Sequence, residues 1–263
     1  MASNPLGTAL VTGASSGIGA VYADRLAHRG HDLVLVARDA ARLETLAARL
    51  RSETGRTIDV LPADLATAEG VARIEARLGS DVGIALLVNN AGISTPGDLL
   101  DGDPADIDRL IAVNITAPTR LAAAAARAFV ARKAGAIINI ASVLALAPEI
   151  SASAYSGSKA YLLNLSLRLE MLVRESGVRV QAVLPGATRT EIWARSGRDV
   201  DSFPADMVME AADLVDAALV GFDRGEVVTI PALADESQWT SYNEARLAML
   251  PNLSKRAVAA RYL

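Results

Sequence analysis

Short, almost wholly apolar runs alternate along the chain with longer stretches in which apolar residues return every three or four positions. The runs predict strands at residues 9–11, 32–36, 58–61, 84–88, 136–140, 178–183 and 227–230. The helical spacing predicts helices at 18–29, 40–52, 70–78, 105–133 and 154–176, the first stopped by Gly30 and the fourth holding Pro118. Strands that are apolar throughout, joined by helices, imply an α/β fold whose parallel sheet is covered on both faces. Residues 190–208 follow neither period, and the stretch after Pro231 reads as helix or loop. No repeat or linker divides the chain, so one domain with an appendage at about 232–263 is expected.

Composition narrows the classes. The 263 residues are 51% apolar and 21% charged with a net charge of −4, which gives no footprint for nucleic acid. No apolar run has the length of a membrane span, and Met1–Leu6 lacks the regions of a signal peptide, so a cytoplasmic protein is expected. The absence of cysteine excludes disulfides, thiolate ligands and a thiol nucleophile. His28 and His31 flank Gly30 at a helix-to-strand turn and read as surface residues, so no metal site is expected.

Candidate chemistry starts at Thr12-Gly13-Ala14-Ser15-Ser16-Gly17-Ile18-Gly19, between the first strand and first helix. Glycines there allow a sharp turn and close approach of a pyrophosphate, and the helix start supplies amide donors. Gly13, Ser15, Ser16, Gly17, Ile18 and Gly19 are the expected contacts. The second strand ends Val36-Ala37-Arg38, without the acid that binds the ribose 2′-hydroxyl of NAD. A guanidinium suits a 2′-phosphate, so NADP(H) is favoured over NAD(H), although Asp39 leaves room for NAD. Asp64 and Leu65 follow the third strand and fit beside the adenine, and Asn89-Asn90-Ala91-Gly92 follows the fourth. A bland role for Asn89 is to tie neighbouring strand ends together. Tyr155 and Lys159 stand one helical turn apart on one face, and a Lys there is notable in a chain with 3 lysines and 23 arginines. An ammonium beside a phenol lowers its pKa toward the range useful for proton transfer.

Together these residues resemble the short-chain dehydrogenase/reductase family, from about residue 8 to residue 230. The motifs are Thr12-Gly13-x-x-x-Gly17-x-Gly19, Asn89-Asn90-Ala91-Gly92, Asn114, Ser142, Tyr155-x-x-x-Lys159 and Pro185-Gly186. The resemblance implies a single Rossmann-like doubly wound domain with a seven-stranded parallel sheet. It implies hydride transfer between a nicotinamide and a small carbonyl or alcohol substrate, in a dimer or tetramer. By the same resemblance Tyr155 is the general acid or base, Lys159 lowers its pKa and holds the ribose, Ser142 binds the substrate oxygen, and Asn114 carries a relay water. Asn90, Ala91 and Gly92, with Pro185, Gly186, Thr188 and Thr190, border the cofactor. Pro118 lacks the N–H that would bond the Asn114 carbonyl, so a kink is expected to expose that carbonyl. Val143-Leu144-Ala145-Leu146, Trp193, Phe203 and Met207 suggest an apolar pocket under a substrate loop at about 190–210, or ordinary core. Leu162, Leu165, Leu169 and Leu172 form a stripe suited to a subunit contact or to the core. Rival readings are an NAD-linked hydroxy-acid or sugar dehydrogenase, an epimerase or dehydratase on the same fold, and a non-catalytic NADP sensor.

Overall fold

The computed structural model describes residues 6–97, 99–150 and 153–263, so the expectation about the N-terminal segment lies, but for Leu6, outside the described residues. The chain forms two compact units, divided after Pro231. In the first, elements alternate as the pattern predicts: β1 (Thr8–Thr12), α1 (Gly17–His28), β2 (Asp32–Ala37), α2 (Ala40–Thr54), β3 (Ile58–Pro62), α3 (Ala68–Ser80) and β4 (Ile84–Asn89). Then follow α4 (Pro104–Ile111), α5 (Ala117–Arg132), β5 (Gly135–Ile140), α6 (Ala154–Val173) and β6 (Val178–Val183). The last part holds β7 (Thr188–Arg189), α7 (Ile192–Arg195), β8 (Met209–Glu210), α8 (Ala211–Arg224) and β9 (Val228–Thr229). The second unit, Ala232–Leu263, contains α9 (Glu236–Ala248) and short 3₁₀ turns.

Seven parallel strands order as β3-β2-β1-β4-β5-β6-β9. Alternate residues of each strand serve opposite faces. Ala9, Val11, Leu33 and Leu35 pack under α1, α2 and α8, whereas Leu10, Val34, Val36 and Leu87 pack under α3 and α5. Both faces are covered, which is why the central strands β1, β2 and β4 read as nearly unbroken apolar runs. The order reverses between β1 and β4, and at such a switch point the strand ends diverge into a crevice. No helix of the described residues is long and apolar enough to cross a membrane.

Three local departures from the sequence expectations stand out. The predicted helix 105–133 is interrupted: α4 passes into a π-helical turn, Ala112–Thr116, before α5 begins. Helix α8 was absent from the expectations, although Leu214, Val215, Ala218 and Leu219 carry helical spacing and are buried. The α6 stripe divides, with Leu162 buried, Leu169 packed on the core and Leu172 exposed. His31 is also more enclosed than a surface residue: its ring Nδ1–H donates to the Gly7 carbonyl at 3.2 Å, and burial lowers its pKa. His28 lies near Asp24 and Glu53, but Arg49 bonds both carboxylates and serves as their cation.

Tyr22 of α1 is fully buried, and its hydroxyl has no partner among the described residues. A buried hydroxyl without a hydrogen bond is destabilising, and burial holds this phenol far above the usual range. Tyr22→Phe is therefore expected to raise unfolding free energy by about 1 kcal/mol, read from urea denaturation. A lower midpoint would show that the hydroxyl is satisfied after all.

Candidate active site and cofactor crevice

The glycine-rich turn is shaped by close contacts at the ends of β1 and β4. Gly13 and Gly17 have φ of +67° and +54°, a region that L-residues rarely adopt. A Cβ on Gly19 would lie 2.3 Å from the Gly13 carbonyl oxygen and 2.4 Å from Asn90 Nδ2. Thr12, which the sequence did not single out as a site residue, is the hub. Its hydroxyl donates to the Val88 carbonyl and accepts from the Asn90 and Ala91 amides, at 3.2, 3.0 and 3.1 Å. Asn90 in turn donates through Nδ2 to the Thr12 and Gly13 carbonyls, at 2.9 and 3.3 Å. Its side chain thus supports the turn from behind. Ser16 precedes α1 in extended conformation, and its hydroxyl makes no capping bond. The first amides of α1 are therefore uncapped by a side chain, as an anion site at a helix start requires.

At the end of β2, Asp39 is committed elsewhere. Its carboxylate accepts from the Arg42 amide as N-cap of α2 and pairs with the Arg42 guanidinium at 3.5 Å. Arg38 is exposed and, among the described residues, has no carboxylate partner. It lines a cavity of about 360 Å³ that Asp64 also lines. Asp64 is fixed by the Ala66 amide at 2.9 Å and by Arg109 of α4 at 3.2 Å, while Leu65 is buried beside it. Asn89 has the tying role: Nδ2 donates to Asn139 Oδ1 of β5 and to the Pro118 carbonyl, at 2.9 and 3.3 Å.

The candidate catalytic residues meet at the ends of β4 and β5. Asn114 lies in the π turn and is buried. Its side chain clamps Ile93, accepting from the Ile93 amide at 2.9 Å and donating to the Ile93 carbonyl at 2.8 Å. It also donates to the Ser158 hydroxyl at 3.1 Å, which donates to the Tyr155 carbonyl at 2.7 Å. Ile93 and Ser158 had no signal in the sequence, because neither carries chemistry of its own. A Cβ on Gly92 would lie 3.3 Å from Lys159 Nζ and 3.5 Å from Asn114 Oδ1, so these three residues converge. The Ala117 amide reaches back to the Ala112 carbonyl, a π-type bond. Pro118 has no amide proton for the Asn114 carbonyl.

Ser142 follows β5 and is buried. Its hydroxyl accepts from the Leu144 amide at 3.1 Å and makes a long bond to the Pro185 carbonyl, 3.4 Å. Val143 donates to the same carbonyl at 2.9 Å, so the Pro185-Gly186 turn and the Ser142 loop are joined. Thr188 is buried in β7, and its carbonyl accepts the Trp193 indole N–H at 2.8 Å. Trp193 packs on Phe203 with ring centroids 4.9 Å apart, while Met207 is exposed. Thr190 Cγ2 would lie 3.1 Å from a Cβ on Gly17, which brings this segment against the glycine turn.

Lys159 is buried on α6, one turn beyond the half-buried Tyr155, and donates from Nζ to the Ile140 carbonyl at 2.8 Å. Burial dominates the electrostatics of the pair. Burial raises the Tyr155 phenol above its ordinary value and pushes the Lys159 amine down to about 8. The ammonium sits 5.4 Å from the centre of the Tyr155 ring and bonds a carbonyl instead of the phenol oxygen. Desolvation therefore outweighs attraction between them.

Comparison with known proteins agrees with this fold. The short chain dehydrogenase family profile matches residues 7–201. The chain belongs to that family. A short-chain dehydrogenase from Sphingobium yanoikuyae, solved in complex with NADPH, is 52% identical with a TM-score of 0.95, over 98% of this chain and 100% of that one. The bulky-bulky ketone specific alcohol dehydrogenase from Comamonas testosteroni is 47% identical with a TM-score of 0.91, over 98% and 99% of the two chains. A short chain dehydrogenase of Pseudocercospora fijiensis is 34% identical over 191 residues, 71% of this chain. That match spans 61% of the fungal protein, so the chain covers less than two thirds of that relative. Family membership makes the chain an oxidoreductase of the short-chain dehydrogenase type.

Proposed function

We propose that this short-chain dehydrogenase reduces ketones carrying two bulky substituents, with NADPH as reductant, and oxidises the corresponding secondary alcohols. The observation that carries the cofactor is the end of β2, where the acid caps a helix and the arginine is uncommitted. The likeness to an NADPH-complexed protein at 52% identity supports it. The residues fit the group: Gly13, Gly17 and Gly19 form a turn that Cβ atoms would fill, and the start of α1 offers uncapped amides. Those residues would hold the pyrophosphate, Arg38 the 2′-phosphate, and Lys159 the nicotinamide ribose. The Thr188 backbone and Thr190 would border the nicotinamide end. Bound NADPH supplies the hydride.

The chain's own residues handle the oxygen and the proton. As the ketone carbon accepts hydride, its oxygen becomes negative, and the Ser142 hydroxyl donates to it. A donor that bonds more strongly as charge develops lowers the barrier. Tyr155 gives that oxygen its phenolic proton. Lys159 stabilises the phenolate left behind and passes a proton to it. A water on the Asn114 carbonyl, released by Pro118 and the π turn, resupplies Lys159. The ketone class rests on the Comamonas likeness and on the half-buried Val143, Leu144 and Trp193. A cytoplasmic dimer or tetramer completes the reading, with exposed Met171 and Leu172 of α6 as an apolar edge for contact.

The test is steady-state kinetics on a panel of aryl and alkyl ketones with each nicotinamide. NADPH is expected to exceed NADH in kcat/KM by about 100-fold, and Arg38→Asp to remove that preference, as loss of charged hydrogen bonds of about 1.5–3 kcal/mol implies. Equal use of NADH by the wild type would overturn the cofactor assignment. Turnover without net NADPH loss would overturn the reaction type.

A further inference from the structure

The cavity beside Arg38 has a second cationic wall. Arg38 reaches it from the end of β2, Pro62 and Asp64 from the end of β3, and Glu69 and Arg73 from the first two turns of α3. Gly70 allows α3 to start here: a Cβ on it would lie 2.1 Å from the Asp64 carbonyl oxygen. The guanidinium of Arg73 is anchored by one bond, Nη1 to the Pro62 carbonyl at 3.0 Å. Its other N–H groups have no carboxylate partner among the described residues.

The charges facing the cavity decide what it accepts. Asp64 is compensated by Arg109 at 3.2 Å and by the Ala66 amide. Glu69 lies in the first turn of α3, where the helix dipole favours an acid. Against that one uncompensated carboxylate stand two guanidinium groups, so the cavity carries excess positive charge. Two arginines held at one cavity repel each other unless an anion lies between them. A phosphate monoester is near-dianionic at neutral pH and accepts forked donors from two guanidiniums at once.

We propose that Arg73 is a second specificity determinant for NADPH, donating to the adenosine 2′-phosphate from the α3 wall of the cavity that Arg38 lines from β2. This rests on the NADPH reading above. It goes beyond that reading in assigning selectivity to α3 as well as to the end of β2. Anchoring of Arg73 on Pro62 fixes the guanidinium before binding, so less side-chain freedom is lost when the phosphate arrives.

The experiment is fluorescence titration of NADPH and NADH onto wild type, Arg38→Ala, Arg73→Gln and Arg73→Lys. Competition by adenosine 2′-monophosphate and by adenosine isolates the phosphate from the rest of the cofactor. Arg73→Gln is expected to weaken NADPH and adenosine 2′-monophosphate by about 10-fold, the effect of one charged hydrogen bond. NADH and adenosine are expected to shift less than about twofold, and Arg73→Lys to fall between. Equal weakening of NADPH and NADH, or no weakening of either, overturns the role of Arg73. If Arg38→Ala lowers the NADPH preference and Arg73→Gln does not, the α3 contribution alone fails. If neither changes the preference, the NADPH reading fails with it.

Discussion

Tyr155→Phe is expected to lower kcat for ketone reduction by about a thousandfold, within the range for loss of a positioned general acid. NADPH affinity should stay within a few-fold, because the phenyl ring keeps its place on α6. The variant removes only the transferable proton. Stopped-flow measurement of NADPH oxidation separates this step from binding, and full activity in the variant would end the proposed mechanism. The pH profile tests the same assignment from another side. Burial keeps Tyr155 above its ordinary value, so the phenol stays protonated through the neutral range and is ready to act as an acid. The Lys159 amine, lowered to about 8, loses its charge as pH rises through that value. An uncharged amine neither stabilises the phenolate nor returns a proton. The rate of reduction is therefore expected to fall above about pH 8. Alcohol oxidation needs the phenolate and is expected to gain at alkaline pH until Lys159 deprotonation limits it. A reduction rate that is flat from pH 7 to pH 10 would remove Lys159 from the relay.

The pattern of apolar positions gave away those features that depend on the local period. Strand β4 lies at Ile84–Asn89, where the apolar run 84–88 predicts it, because a strand covered on both faces stays apolar until its last residue. The glycine turn was equally legible, since backbone contacts at Gly13 and Gly19 exclude larger residues. What stayed hidden depends on tertiary contact. The interruption at Ala112–Thr116 is a shift of one hydrogen-bond register, and its composition still suits an ordinary helix. The Thr12 hydroxyl draws its role from strand β4, far away in sequence. Arg38 and Asp39 compete on paper, and the N-cap bond of Asp39 separates them. The spacing of Tyr155 and Lys159 singled out the pair, but the direction of the pKa shifts follows from burial, which these five letters do not encode.

Two glycines near the proposed chemistry should respond in opposite ways to the same added methyl group. Gly19→Ala would drive its Cβ to 2.3 Å from the Gly13 carbonyl oxygen and 2.4 Å from Asn90 Nδ2. Neither neighbour can move freely. The Gly13 carbonyl accepts from Asn90, and the Asn90 amide is held by Thr12 at the switch between β1 and β4. The turn must open, and the amides at the start of α1 move off the pyrophosphate. A loss of about 100-fold or more in NADPH affinity is expected, because misplacing the site by about 1 Å is enough for that. Gly157 stands between Tyr155 and Lys159. In the structure it is exposed within α6, with nothing within 4 Å of an added Cβ. Gly157→Ala should leave NADPH affinity and turnover unchanged and raise helix stability by about 0.5–1 kcal/mol, since alanine favours the helix. Calorimetric titration with NADPH and thermal unfolding of both variants test the contrast. If Gly19→Ala binds NADPH like the wild type, the turn is looser than its contacts imply, and the nucleotide does not depend on its shape.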